Sequence, residues 1–172
     1  MAESVKRLYW EDPYQKEFDA VVDRLDGNKV ILNQTCFYPQ GGGQVGDTGE
    51  LNGVRVIGTM KNDAGEVIHI LEKDSGLRPG DMVHGKIDWE RRYNIMKLHS
   101  AAHIVFNFMQ KVYPGVKIAS SGIVDDRKDK QDYMFPGDGK WEKEKLSIVE
   151  QYANDFIAAD KGIRCWTDDG GI

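Results

Sequence analysis

Apolar and polar residues alternate along the first half of the chain and repeat at helical spacing along the second. Over EFDAVVDRL (17–25), Phe18, Ala20 and Val22 fall on one side of a strand, because successive side chains point to opposite faces. Asp26-Gly27-Asn28 predicts a turn, and KVILN (29–33) pairs back as a hairpin. GELNGVRVIGTM (49–60) holds Asn52-Gly53 between two apolar runs, the strongest short hairpin signal. A turn at Asn62-Asp63-Ala64-Gly65 leads into the alternating EVIHILE (66–72), and Pro79-Gly80 precedes MVHGKID (82–88). About six short strands at this spacing predict a small closed β-barrel, an arrangement that leaves no exposed strand edges.

The period changes near Asp88. From Trp89 to Tyr113, Ile95, Leu98, Ala102, Val105, Phe106, Met109 and Val112 form a helical stripe, with Asp88 as N-cap and Pro114-Gly115 as the stop. VKIASSGIV (116–124) and KQDYMFP (130–136) predict strands around a charged turn, Asp125 to Lys128. Trp141 to Ala159 predicts a second amphipathic helix with Leu146, Val149, Tyr152, Ala153, Phe156 and Ile157 inward, ended by Gly162. IRCWT (163–167) then starts one more strand. The predicted fold class is α+β: an N-terminal β-barrel over 1–88, then an α+β domain over 89–172 with helices packed on an antiparallel sheet.

Composition narrows the setting. At 172 residues the chain is long enough to bury a core without disulfides or metal staples, and 30% charged residues argue against wholesale disorder. No apolar run approaches the length of a membrane helix, and MAESVKRLYWEDP lacks the apolar stretch of a secretory signal. Cys36 and Cys165 are too few for a disulfide framework, so a cytoplasmic protein is expected. The net charge of −5 excludes a broadly basic nucleic-acid binder. Residues 1–88 carry 10 Lys+Arg against 15 Asp+Glu, whereas 89–172 carry 13 of each. Any nucleic-acid contact is therefore expected on local clusters, Arg91, Arg92 and Lys97 with Lys86 just ahead of the boundary, or Arg127, Lys128 and Lys130, although two ordinary solvated surfaces fit these charges equally well.

Two segments carry candidate chemistry. His99 and His103 stand four apart on the first long helix, which puts both imidazoles on one side, one turn apart, within reach of one metal ion. Two helix-surface histidines would have the same spacing. Position 100 is Ser, so the glutamate that a zincin needs after its first His is missing and a metalloprotease is excluded. In TCFYPQGGGQVGDTG (35–49), Gly41-Gly42-Gly43 demands positive φ angles or the close approach of a partner. No Gly-Lys-Ser/Thr follows, so this is not a phosphate loop, and nothing beside Cys36 in sequence would activate its thiol.

The stretch from Thr35 to Gln44, with Asp47 and Gly49, resembles the T-x-F-Y-P-x-G-G-G-Q-x-x-D-x-G signature of alanyl-tRNA synthetase editing regions. Arg91, Met96 and His99-Ser100-Ala101-Ala102-His103 are similar to that family's R-x-x-x-x-M-x-x-H-[ST]-A-x-H helix. Asp132-Tyr133, Glu150 and Asn154 also fall where the family has similar residues. More narrowly, the chain resembles the freestanding AlaX editing factors of medium length.

That resemblance implies hydrolysis of mischarged alanine tRNA, chiefly bearing serine and also glycine. It implies Zn2+ on His99 and His103, and Thr35, Gly41, Gly42, Gly43 and Gln44 at the substrate. Ser120, with Ser121 nearby, would reward the serine hydroxyl. The partner is the 3′ end of tRNA, with Arg91, Arg92 and Lys97 toward its phosphates. Editing answers a physical problem, since a small apolar alanine site cannot strongly reject an isostere that merely adds a hydroxyl.

One feature departs from the family. Its zinc site is completed by a downstream C-x-x-x-H segment, which does not occur before Ile172. Cys165 and Asp169 have i, i+4 spacing, but they fall ahead of that segment and are read as coincidence. The expectation is a truncated chain that frays after Cys165 and holds half of a zinc site. The competing expectation is a non-catalytic RNA- or partner-binding module of the same fold. A start at Met1 argues against a severed piece of a whole synthetase.

Overall fold

A computed structural model describes residues 5–162 except Ser121. The predicted strand at 163–167, Cys165, Asp169 and Ser121 lie outside the described residues. Two compact units divide the chain, one holding residues up to His99 together with Ser120–Asp132, the other Ser100–Ala119 and residues from Tyr133 on.

The first unit is built on the barrel. Its strands are β2 (Glu17–Asp26), β3 (Lys29–Leu32), β5 (Gly49–Leu51), β6 (Val54–Lys61), β7 (Val67–Leu71) and β8 (Met82–Ile87). They close in the order β2-β3-β7-β6-β5-β8, every neighbour antiparallel. Closure follows from local chemistry at each corner. Asn52 and Gly53 both take positive φ, 47° and 78°, which gives the β5–β6 hairpin the twist of its strands. Inside, the alternation of β2 buries Phe18, Ala20 and Val22, which pack with Leu32, Phe37, Leu51 and Leu71. Each large side chain so removed from water contributes roughly 1.5–3 kcal/mol of burial free energy.

Two small elements escaped the sequence reading. β1 (Lys6–Arg7) runs parallel to β4 (Gln34–Thr35), and a single turn, α1 (Leu8–Glu11), follows β1 and buries Leu8 and Tyr9. Elements of two to four residues have too little periodicity to register.

α2 (Trp89–Val112) begins where the period changes and stops ahead of Pro114-Gly115. Asp88, just before it, accepts hydrogen bonds from Thr48 and from both terminal nitrogens of Arg55. The expected single antiparallel sheet is instead two short ladders among the described residues. β10 (Ile123–Val124) pairs with β11 (Asp129–Lys130), and β9 (Lys117–Ile118) pairs with β12 (Tyr133–Met134). Within the run over 116–124, β9 ends at Ile118 and β10 begins at Ile123, and the two pair with different partners.

In the second unit, α3 (Lys143–Ala158) packs Val149 against Met109, Tyr113 and Val116. Tyr113 also stacks edge-on with Phe135, and its hydroxyl donates to the Glu142 carbonyl at 3.1 Å, fixing the start of α3. The inward stripe expected of this helix is only partly realised. Val149 and Ala153 are buried, whereas Leu146, Tyr152, Phe156 and Ile157 are exposed, because α3 meets its neighbours along a narrower seam than its apolar residues span. Among the described residues no helix is long and apolar enough to cross a membrane.

Candidate active site around the glycine-rich loop

The loop leaving β4 is fixed at its root by a buried relay. Thr35 Oγ1 accepts from the Phe37 amide at 3.0 Å and lies 2.8 Å from His69 Nε2. His69 Nδ1 is 3.1 Å from the Val30 carbonyl, which can only accept. The proton therefore sits on Nδ1, Nε2 accepts from the Thr35 hydroxyl, and the ring is neutral. Burial agrees, since desolvation pushes the His69 pKa down to about 4. Thr35 thus has its hydroxyl engaged inside the barrel.

Further along, Asp47 and Arg92 form an ion pair with side chains 1% and 4% exposed. Arg92 also donates to the Cys36 carbonyl at 2.7 Å, and Asp47 accepts from the Tyr38 amide at 2.7 Å. Arg92 is therefore not a surface cation for phosphates, as the charge pattern had suggested; its charge is spent on holding the loop to α2. Arg91 lies beside it, donating to the Gly46 carbonyl at 2.9 Å and pairing with Asp126 at 3.5 Å. Lys86 pairs with Glu17, while Lys97 rests its ammonium 4.8 Å from the centre of the Tyr93 ring.

Gly42 and Gly43 take φ of 61° and 81°, a region that L side chains rarely adopt, so the expected positive angles occur within the glycine run. They turn the chain so that Gly41 and Gln44 exchange backbone hydrogen bonds of 3.1 and 3.2 Å. Gly43 O then accepts from the Val124 amide at 2.8 Å, and the Val45 amide donates to Val124 O at 3.1 Å, binding the loop to β10. This framework carries the Gln44 side chain to α2, where Gln44 Oε1 lies 2.7 Å from His99 Nδ1. An amide oxygen only accepts, so His99 holds its proton on Nδ1 and the lone pair on Nε2. His103, one helical turn on, is exposed. Ser120 is exposed as well, and its hydroxyl donates to Asp132 at 3.2 Å.

The structure thus brings together the glycine loop, Gln44 and His99 from distant parts of the sequence. It keeps Thr35 and Arg92 in the interior. Two imidazoles at i, i+4 suit a divalent transition metal, and a hydrogen bond to the far nitrogen of one is how proteins commonly orient such ligands. Among the described residues, however, no cluster of three or more His, Cys, Asp or Glu side chains is placed to hold a metal ion. Two nitrogens are fewer than the three or four protein ligands that zinc sites use. Cys36 does not help, being buried with its thiol pushed up to about 12 by desolvation.

Comparison with known proteins places the chain in a family. The family described as tRNA synthetases class II (A) matches residues 6–91. Alanyl-tRNA editing protein AlaX-M of Pyrococcus horikoshii is 32% identical over 158 residues, covering 90% of this chain and 73% of that protein. The protein of the same name from Saccharolobus solfataricus is 35% identical, covering 90% of this chain and 65% of its own length. Alanine–tRNA ligase of Sulfurisphaera tokodaii is 37% identical over 92% of this chain, which spans only 18% of that enzyme. The chain belongs to the class II (A) tRNA synthetase family, among the sequences that AlaX-M editing proteins share with alanine–tRNA ligases.

Proposed function

We propose that the chain is an alanyl-tRNA editing hydrolase that deacylates mischarged alanine tRNA, with serine and glycine as the amino acids removed. The relatives named as alanyl-tRNA editing proteins support the editing role. The observation that carries the assignment to this site is the Gln44–His99 hydrogen bond, which joins the glycine-rich loop to the helix of the paired histidines. In the reaction, water adds to the aminoacyl ester carbon, the bond to the ribose oxygen breaks, and free amino acid and uncharged tRNA result.

His99 and His103 would hold Zn2+ through ring nitrogens, with Gln44 fixing the tautomer of His99. When bound, zinc would supply Lewis-acid polarisation of an ester carbonyl or a water acidified toward neutrality. Gly42 and Gly43 shape the loop that faces the substrate, and the Ser120 hydroxyl, with Asp132 as its acceptor, is available to recognise a serine side chain. The tRNA would approach with its 3′ end, its phosphates met by exposed cations such as Lys97, Arg127, Lys128 and Lys130. A site reached from bulk solution by a tRNA 3′ end suits a cytoplasmic protein.

A second reading has one observation in its favour. Among the described residues no group of three or more His, Cys, Asp or Glu side chains is placed to hold a metal ion, a feature that a non-catalytic tRNA-binding module of the same family would share. The experiment that separates them is deacylation of serine- and glycine-charged alanine tRNA, with zinc content measured on the same sample, for the wild type, His99→Ala and His103→Ala. The editing reading expects zinc-dependent turnover lost in both variants. Salt-sensitive tRNA binding with no turnover, indifferent to His99→Ala, would establish the binding module instead.

A further inference from the structure

The first unit exposes an aromatic cluster that plays no part in the loop or the histidine pair. Tyr14, ahead of β2, meets Trp89 and Tyr93 on the first turns of α2, with ring centroids 5.8 and 6.5 Å away. Trp89 and Tyr93, four apart on the helix, lie nearly parallel, 5.6 Å between centroids at 16°. The inner side of Trp89 packs on the barrel core, so the cluster is anchored to a rigid scaffold. Its outer members are open to solvent, Tyr14 at 57% and Tyr93 at 41% exposure.

Two ammonium groups complete it. Lys16 Nζ lies 4.9 Å from the Trp89 ring centre and Lys97 Nζ 4.8 Å from that of Tyr93. Neither lysine forms an ion pair with a carboxylate among the described residues; the neighbouring Glu17 is taken up by Lys86 and His84. Contiguous exposed aromatic surface marks interaction sites in soluble proteins. Anchored rings flanked by unneutralised cations have the composition of surfaces on which unpaired bases stack while lysines meet the adjoining phosphates.

We infer that Tyr14, Trp89 and Tyr93, with Lys16 and Lys97, form a stacking platform for unpaired nucleotides of RNA. Charge complementarity selects this occupant, since a single-stranded nucleic acid offers bases for the rings and a phosphate for each flanking ammonium group, whereas an apolar peptide would leave both without a counter-charge. The platform deepens the editing reading and rests on it, because the RNA concerned is the tRNA of the proposed reaction. A base takes the face of Tyr93 or Tyr14, and Lys97 or Lys16 swings from the ring to the backbone phosphate. The platform is thus a positioning surface, separate from the histidines.

The test uses the 172-residue chain and two probes, an unstructured fluorescent RNA 10-mer and uncharged alanine tRNA. Tyr14→Ala/Tyr93→Ala is expected to weaken binding of both by roughly five- to a hundredfold, the range for one stacked base. Tyr14→Phe/Tyr93→Phe is expected to restore it, and Lys16→Gln/Lys97→Gln to flatten the salt dependence. In deacylation assays the alanine variant raises KM and leaves kcat unchanged. If that variant is poorly folded by circular dichroism, the phenylalanine and lysine variants decide. Wild-type binding of tRNA that is indifferent to the ring and lysine changes overturns the platform and leaves the editing reading standing. Failure of the wild type to bind tRNA at all overturns both.

Discussion

Asp47 and Arg92, 45 residues apart in sequence, face each other in the interior, with both carboxylate oxygens accepting from Arg92 Nε at 2.9 and 2.8 Å. The pair fastens the glycine-rich loop to the helix that carries the histidines. Removing one partner leaves a buried charge without compensation, at a cost of about 3–5 kcal/mol. Asp47→Asn and Arg92→Leu are each expected to lower the unfolding free energy, read from urea denaturation, by that margin. Their double variant should lose less than the sum. Additive losses would show that the two charges do not act as a pair.

The buried His69 ties stability to acid. Its pKa in the fold is held near 4, below the ordinary value of about 6.5, so protonation favours the unfolded chain. Stability is therefore complete above about pH 6.5 and falls through this group by up to about 1.4 kcal/mol per pH unit as pH drops toward 4. Denaturation curves of His69→Gln, subtracted from those of the wild type, should show this slope. Parallel curves for the two proteins would mean that His69 carries no such linkage.

The Gln44 amide orients one imidazole, and outer-shell partners of this kind typically matter 10- to 100-fold for metal affinity. Zinc affinity, measured by competition with a chromogenic chelator, is expected to drop by that factor in Gln44→Ala. Gln44→Glu should retain most of it, because the acceptor for His99 Nδ1 is kept. Equal affinity in all three proteins would remove Gln44 from the metal's surroundings.

Cys36 is expected to be inert in the folded protein, because burial pushes its thiol pKa up to about 12 and the thiolate is the reactive form. A disulfide reagent at pH 8, followed by peptide mapping to separate Cys36 from Cys165, should leave Cys36 unmodified until urea is added. Rapid labelling of Cys36 in native buffer would contradict the buried position.

Much of this architecture was legible in the chain because it is encoded locally. Asn52-Gly53 dictates its hairpin through two positive φ angles, and the alternation of Phe18, Ala20 and Val22 dictates which face of β2 is buried. The helix carrying His99 and His103 announces itself by period and stops ahead of Pro114-Gly115. What stayed hidden depends on partners far off in sequence. Arg92 reads as one of a run of surface cations until Asp47 is folded against it, and Thr35 reads as a loop residue until His69 arrives from β7. The β1–β4 pairing exists only because the barrel holds both segments, so no local pattern could reveal it.

Closure of the barrel also sets how fast it can form. Its seam joins the first and last strands, with Glu17 opposite Lys86, so the pairing that completes the ring links positions about seventy residues apart. The chain must surrender the entropy of that long loop before the seam returns any contact, while the β5–β6 hairpin can form from neighbours alone. Refolding of the first unit is therefore expected to wait on the meeting of β2 with β8, which stopped-flow fluorescence would place on the millisecond-to-second scale of topologies rich in distant pairings. The glycine-rich loop, strung between β4 and β5, is held by contacts to β7, β10 and α2 and so does not depend on that seam alone.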